Sequence, residues 1–119
     1  MPNPYGAPEI SVQAVSEKLA QDEDFILLDV RELHELDRAQ LTHRQVNVLP
    51  LSELAQKQLA ALPAVVQDKT AEIVVMCHHG NRSGQVTAWL INQGWTNVLN
   101  MAGGIDTFAR DIDPKIGFY

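Results

Sequence analysis

The sequence predicts an α/β domain: a central, mainly parallel five-stranded sheet with helices on both faces. Three observations carry this. Two short apolar runs, Phe25-Ile26-Leu27-Leu28 and Ile73-Val74-Val75-Met76, are bounded by polar residues and are too short for helices. Both are continuous rather than alternating, which is the pattern of strands buried on both faces. Between such runs, apolar residues recur at helical spacing, and strand–helix alternation implies crossover connections and a parallel sheet.

Each element has its own signal. Residues 1–8 carry three prolines and a glycine and read as an extended lead-in to one domain, 9–119. Glu9-Ile10 is a short first strand. Ser11 then caps a helix with Val12, Val15 and Leu19 on one face. The Phe25–Leu28 run is the second strand, and Leu33 and Leu36 mark a short helix after it. Val46-Asn47-Val48 is a brief third strand. Ser52 is expected to cap a helix through Ala61, with Leu54, Ala55, Leu59 and Leu62 inward and Pro63 beyond its end. Ile73–Met76 is the fourth strand. Val86, Trp89 and Leu90 belong to the next helix, with Gly94 as its stop. Val98-Leu99 is the fifth strand, and Gly103-Gly104 turns the chain into a last helix from Ile105 to Arg110. Trp89 and Trp95 read as core or helix-covering residues, and Phe118 and Tyr119 are expected to pack back on the domain.

Composition narrows the function. At 119 residues and 13.2 kDa the chain suits one domain, long enough to stand as a monomer. An apolar fraction of 45% with 20% charged residues excludes a disordered chain. The formal charge of −6 argues against a nucleic-acid binder. All of it falls in residues 1–40, which hold nine acids and three bases, whereas residues 41–119 hold six of each. The second half is therefore expected to work outside any local acidic excess. With one cysteine, Cys77, no intramolecular disulfide can form. No secretory leader is visible, and no apolar stretch nears the ~20 residues that cross a bilayer, so a soluble, cytoplasmic protein is expected.

In an open α/β sheet, sites form at the carboxyl ends of the strands. There, after Met76, stands Cys77-His78-His79-Gly80-Asn81-Arg82-Ser83, leading into a helix. Gly80 and Asn81 tolerate left-handed backbone angles. The loop can thus curl its N–H groups toward one point, reinforced by the helix N-terminus. Such a nest favours a thiolate at Cys77. Arg82 offers a permanent charge that grips an oxyanion at two points. A lone cysteine is often only a small core residue and paired histidines are often surface residues, but the coincidence of strand, Cys, glycine-containing loop, Arg and helix points to catalysis. No metal is expected, because one Cys and two adjacent His do not easily converge on one ion, and no cofactor is called for.

These residues resemble the rhodanese family of single-domain sulfurtransferases, over about residues 9–119. Leu28-Asp29-Val30-Arg31-Glu32 is similar to its signature after the second strand, Cys77–Ser83 to its active-site loop, and Asn97–Ile105 to its C-terminal signature. The resemblance implies a three-layer rhodanese-like fold with Cys77 as the nucleophile. Cys77 would take a sulfane sulfur from a donor such as thiosulfate, release sulfite, and pass the sulfur from a persulfide to cyanide or a cellular thiol. Backbone N–H groups from His78 to Ser83, with His79, Gly80, Asn81 and Arg82 between them, would bind the anionic substrate. Ping-pong kinetics follow. Asp29 and Arg31 are expected to act behind the site, chiefly as structure, with Arg31 paired to an acid such as Glu35.

Loop length separates relatives. In rhodanese-like and tyrosine phosphatases the arginine follows the cysteine by six positions; here the interval is five, which in the family goes with sulfur transfer. An arsenate reductase would lack a second, resolving cysteine. The remaining alternative is a non-catalytic module that docks a partner and whose cysteine only senses redox state. Two departures from the family stand out. Residues 38–50 lack the glycines and internal proline of the usual segment before the third strand, which puts the rim of the site in question, although His43 matches the family's histidine. The loop has His78, His79 and Asn81 where members active on thiosulfate often carry Arg or Lys. Weak thiosulfate binding is expected, improving below about pH 6.5 if the histidines assist, with a protein persulfide or glutathione persulfide as a possible donor.

Overall fold

The computed structural model describes residues 3–119; Met1 and Pro2 of the expected lead-in lie outside the described residues. Five strands form one sheet: β1 (Glu9–Ile10), β2 (Ile26–Asp29), β3 (Val46–Val48), β4 (Ile73–Met76) and β5 (Val98–Met101). Their spatial order is β1-β5-β4-β2-β3, and every pairing is parallel. The helices are α1 (Val12–Ala20), α2 (Leu33–Leu36), α3 (Leu51–Lys57), α4 (Asn81–Asn92) and α5 (Gly104–Asp111).

The continuous apolar strands lie between two cores. Leu28, Val30, Val75 and Cys77 pack with Leu54, Val86, Leu90 and Trp95 on the α3/α4 side. Leu27, Val74, Met76 and Met101 pack with Val15, Leu19, Ile105 and Phe108 on the α1/α5 side. Period-2 alternation along β2 and β4 divides these neighbours between the faces. Trp95 is buried, and its indole N–H donates to the Val66 carbonyl at 2.8 Å, the core role expected of it. Ser11 caps α1 through the Ala14 N–H. No helix among the described residues is long and apolar enough to cross a membrane.

The middle of the chain departs from expectation. The helix after β3 starts one residue before Ser52 and stops at Lys57; Gln58 then takes φ +53°, and a separate helical turn covers Gln58–Ala61. Leu59, in that separate turn, is 44% exposed, and Ala55 within α3 is exposed as well, so only Leu54 and Leu62 of the four predicted residues reach the core. Ser52 does not cap; its hydroxyl donates to Glu32 at 2.6 Å. The short helix marked by Leu33 and Leu36 is present as α2. Leu33 is exposed, and the buried residue is Glu35.

Residues 38–50 do not form the rim as one piece. Because β3 runs parallel to β2, the residues just before Val46 lie at the amino edge of the sheet, opposite the Cys77 loop. There Arg44 pairs with Asp22 and Asp24. His43 is exposed and lines a groove with Leu19, Phe108 and Ile112, away from the cysteine.

Candidate active site

Cys77 directly follows β4 at the carboxyl edge, between β2 and β5, and is 1% exposed. The chain turns sharply at Gly80, whose φ of +101° makes it the left-handed cap of α4. This turn brings the Gly80 N–H to 3.1 Å from Cys77 Sγ, and the first turn of α4 brings Ser83 Oγ to 3.3 Å. The helix α5 holds the loop from the other side. Its Ile105 and Asp106 N–H groups donate to the Cys77 and His78 carbonyls at 2.9 and 3.1 Å. Gly104 permits that approach: a Cβ there would overlap both carbonyl groups.

Behind the sulfur lies a buried polar residue that sequence reasoning assigned no role. Asn100, on β5 and fully buried, accepts a short hydrogen bond from the Ser83 hydroxyl and donates to the Gly80 carbonyl at 3.1 Å. It therefore fixes both residues whose polar atoms face Sγ, and because it takes the one proton of the Ser83 hydroxyl, the Gly80 N–H is the donor to the sulfur. Its amide also donates to Glu9 at 2.9 Å, and Asn3 reaches the same carboxylate at 3.2 Å. An asparagine within the apolar Val98–Met101 strand was the available signal, since a buried amide needs partners.

The two arginines differ. Arg31, fully buried, lays Nε and Nη2 on the Asp29 carboxylate, with a closest approach of 2.7 Å, and donates through Nη1 to the Ala39 carbonyl at 2.8 Å and to Tyr119. Asp29 also accepts the Arg31 backbone N–H. Asp29 and Arg31 thus satisfy each other. The expected ion pair between Arg31 and the Glu35 carboxylate is absent; only the Glu35 backbone carbonyl faces Arg31, at 3.4 Å. The reason is geometric: Arg31 precedes α2, so helical i,i+4 spacing does not govern it.

The Glu35 carboxylate instead takes Arg82, with Nη1 and Nη2 at 2.6 and 2.8 Å. It also accepts the Glu32 N–H at 2.8 Å and the Tyr119 hydroxyl at 3.0 Å. Arg82, with the other donors opposing the cost of burial, lowers the Glu35 pKa to about 2, and Glu35 raises that of Arg82. An acid from the first forty residues thus folds onto the loop cation, against the expectation that the acidic excess stays apart from the site. Among the C-terminal aromatics only Tyr119 packs back, stacking on His78 with centroids 3.7 Å apart and planes 7° apart; Phe118 is exposed.

His78 is held between Tyr119 and His79, and burial, then the neighbouring His79, lower its pKa. It is a poor candidate for an anion-binding cation near neutral pH. His79 is mostly exposed and lies 3.9 Å from Asp106. His78, His79 and Asp106 each offer a metal-ligand atom, all within 4.8 Å of one another, a grouping the sequence did not reveal. The two imidazole planes, however, are tilted by only 32° at a centroid separation of 3.8 Å. An ion must lie near the plane of each ring it binds, and planes this close to parallel meet too far away. Arg110 also pairs with Asp106 at 3.4 Å. Asn81 is the first residue of α4 and exposed. Trp89 lines a groove between α3 and α4 that includes no residue of the 77–83 loop.

Comparison with known proteins agrees with this geometry. The rhodanese-like domain family model matches residues 11–111. A sulfurtransferase of Allochromatium vinosum is 33% identical over 102 residues, covering 86% of this chain and 88% of that one. The maize adenylyltransferase and sulfurtransferase MOCS3-1 is 35% identical over 105 residues, 86% of this chain, which spans only 22% of the maize protein. The human single-domain sulfurtransferase TSTD1 superposes with a TM-score of 0.68 at 28% identity, over 89% of this chain and 98% of that one. With the match running from the cap of α1 to the end of α5, the chain belongs to the rhodanese-like domain family.

Proposed function

We propose that this protein is a sulfurtransferase that moves a sulfane sulfur to a thiophilic acceptor through a persulfide on Cys77. The observation that supports it most is the buried Cys77 Sγ at the carboxyl end of the central strand, which accepts the Gly80 N–H at 3.1 Å and has Ser83 Oγ 3.3 Å away. A donor aimed at a buried sulfur stabilises negative charge there. The Cys77 thiolate attacks the outer sulfur of the donor; a new S–S bond forms as the donor's own bond to that sulfur breaks. With thiosulfate the leaving group is sulfite. A thiolate or cyanide then attacks the outer sulfur of the persulfide and regenerates the Cys77 thiolate. The names of the Allochromatium and human relatives support this reading, as does the five-residue interval from Cys77 to Arg82.

Partners in this reading are a small-molecule or protein persulfide donor and a thiol acceptor, with cyanide as the assay acceptor, acting on a monomer in the cytoplasm. Steady-state thiocyanate formation tests it. Double-reciprocal plots against donor at several cyanide concentrations should be parallel, and Cys77→Ser should abolish turnover. Intersecting lines, or activity retained in Cys77→Ser, would remove the covalent step. Phosphate release from an aryl phosphate would favour a phosphatase instead.

A further inference from the structure

We infer that Glu35 masks Arg82 and thereby directs the Cys77 site toward thiol persulfides, R–S–SH, and away from thiosulfate. This rests on the reading of Cys77 as a sulfur carrier. Arg82 is the only permanent cation within the 77–83 loop. Both of its terminal nitrogens lie on the two oxygens of one carboxylate, the bidentate arrangement it would otherwise offer to an oxyanion. An incoming dianion must displace a carboxylate that is already in place, and meets its negative charge as well.

The mask is itself fastened. Besides Arg82, Glu35 accepts from the Glu32 N–H and from the Tyr119 hydroxyl, which in turn accepts from the buried Arg31. Two donors fall on each carboxylate oxygen, so Glu35 leaves Arg82 only by giving up several hydrogen bonds. The neighbouring cations are also engaged: Arg31 by Asp29, and Arg110 by Asp106. His78 lies in the stack between Tyr119 and His79, where burial favours its neutral form, and the charged groups around it are Asp106 and Glu35. With its carboxyl pKa at about 2, Glu35 is ionised at neutral pH.

The two donor classes ask different things of this site. Thiosulfate brings two negative charges and a sulfonate that calls for a cation. A thiol persulfide presents its outer sulfur beside a carbon-bound sulfur and needs only the Gly80 N–H aimed at Sγ, with no cation. In the reaction with R–S–SH, the Cys77 thiolate bonds to the outer sulfur and the donor's S–S bond breaks. The departing R–S sulfur takes the proton, giving R–SH and the Cys77 persulfide anion. No oxidant or reductant is consumed.

The test is the ratio of kcat/KM for thiosulfate to kcat/KM for glutathione persulfide, measured with one acceptor. The expected ratio is well below one in the parent protein and rises at least about tenfold in Glu35→Gln, which keeps the side-chain shape and removes the charge. Tyr119→Phe, which removes one fastening bond, should raise it by roughly two- to threefold. A second arm measures thiosulfate binding by calorimetry to Cys77→Ala and to Cys77→Ala/Glu35→Gln, where no turnover occurs. Tighter binding in the double variant supports the mask. An unchanged ratio, an unchanged affinity, or a parent protein that prefers thiosulfate would overturn it. If neither donor yields a Cys77 persulfide, the proposed function fails, and the binding arm still decides whether Glu35 masks Arg82.

Discussion

Two arginine–carboxylate pairs share one chemistry and differ in consequence. Asp29–Arg31 is local in sequence and fully buried, and backbone carbonyls and Tyr119 take its remaining donors. Glu35–Arg82 joins α2 to α4 across 47 positions and is partly exposed at the Cys77 loop, the side chains being 11% and 33% accessible. The chemistry is the same, yet the first pair is closed to any ligand and the second could open to one. Burial and satisfied partners, rather than residue type, separate a structural ion pair from one that can select a substrate.

The comparison can be broken at four points. Arg31→Met should have the largest effect, because it leaves the Asp29 carboxylate buried without a counter-charge. Chemical denaturation should show a loss of roughly 3–5 kcal/mol, and a loss under 1 kcal/mol would refute the closed character of this pair. Glu35→Gln should cost at most about 3 kcal/mol at neutral pH, as expected for a carboxyl lowered from 4.5 to about 2. The sign follows from that lowering. The contribution is complete above about 4.5 and is lost as pH falls toward 2, so parent and variant stabilities should converge in acid. A difference constant with pH would contradict the pair's electrostatic role.

Asn100→Ala removes the acceptor of the Ser83 hydroxyl and one of the two donors to the Gly80 carbonyl, and should cost about 1–3 kcal/mol. If Asn100 positions the Gly80 N–H and Ser83 Oγ at the sulfur, kcat should fall while the donor KM changes little; equal scaling with folded fraction would make it structural only. The smallest effect belongs to Tyr119→Phe, about 0.5–1.5 kcal/mol for one hydrogen bond. Tyr119→Ala additionally removes the ring that buries His78, so the His78 pKa, read by NMR, should move up toward its ordinary 6.5. An unmoved His78 resonance would show that the stack does not control it.

The fold was legible because its signals are local. The β4 run is confined to four residues, Gly94 does end α4 in a left-handed turn, and Ser11 does cap α1. What misled was equally local: helical spacing continued past Gln58, where the backbone reverses sign. In the site, Cys77 through Ser83 could be read because they are contiguous. Glu35, Asn100 and Tyr119 reach the loop from 47, 17 and 84 positions away from their partners Arg82, Ser83 and Glu35. No local pattern encodes such pairing; only the odd polar residue in an apolar strand, Asn100, advertised itself. The acidic bias of the first forty residues was visible, but its contact with the loop cation is a tertiary pairing of Glu35 on α2 with Arg82 on α4.

The account rests on Cys77 as the sulfur carrier. Intact mass measured after incubation with glutathione persulfide and removal of excess donor tests this most directly. The expected result is a gain of one sulfur, about 32 Da, absent in Cys77→Ser and lost on adding cyanide. No gain with this donor or with thiosulfate, or the same gain in Cys77→Ser, would contradict the account.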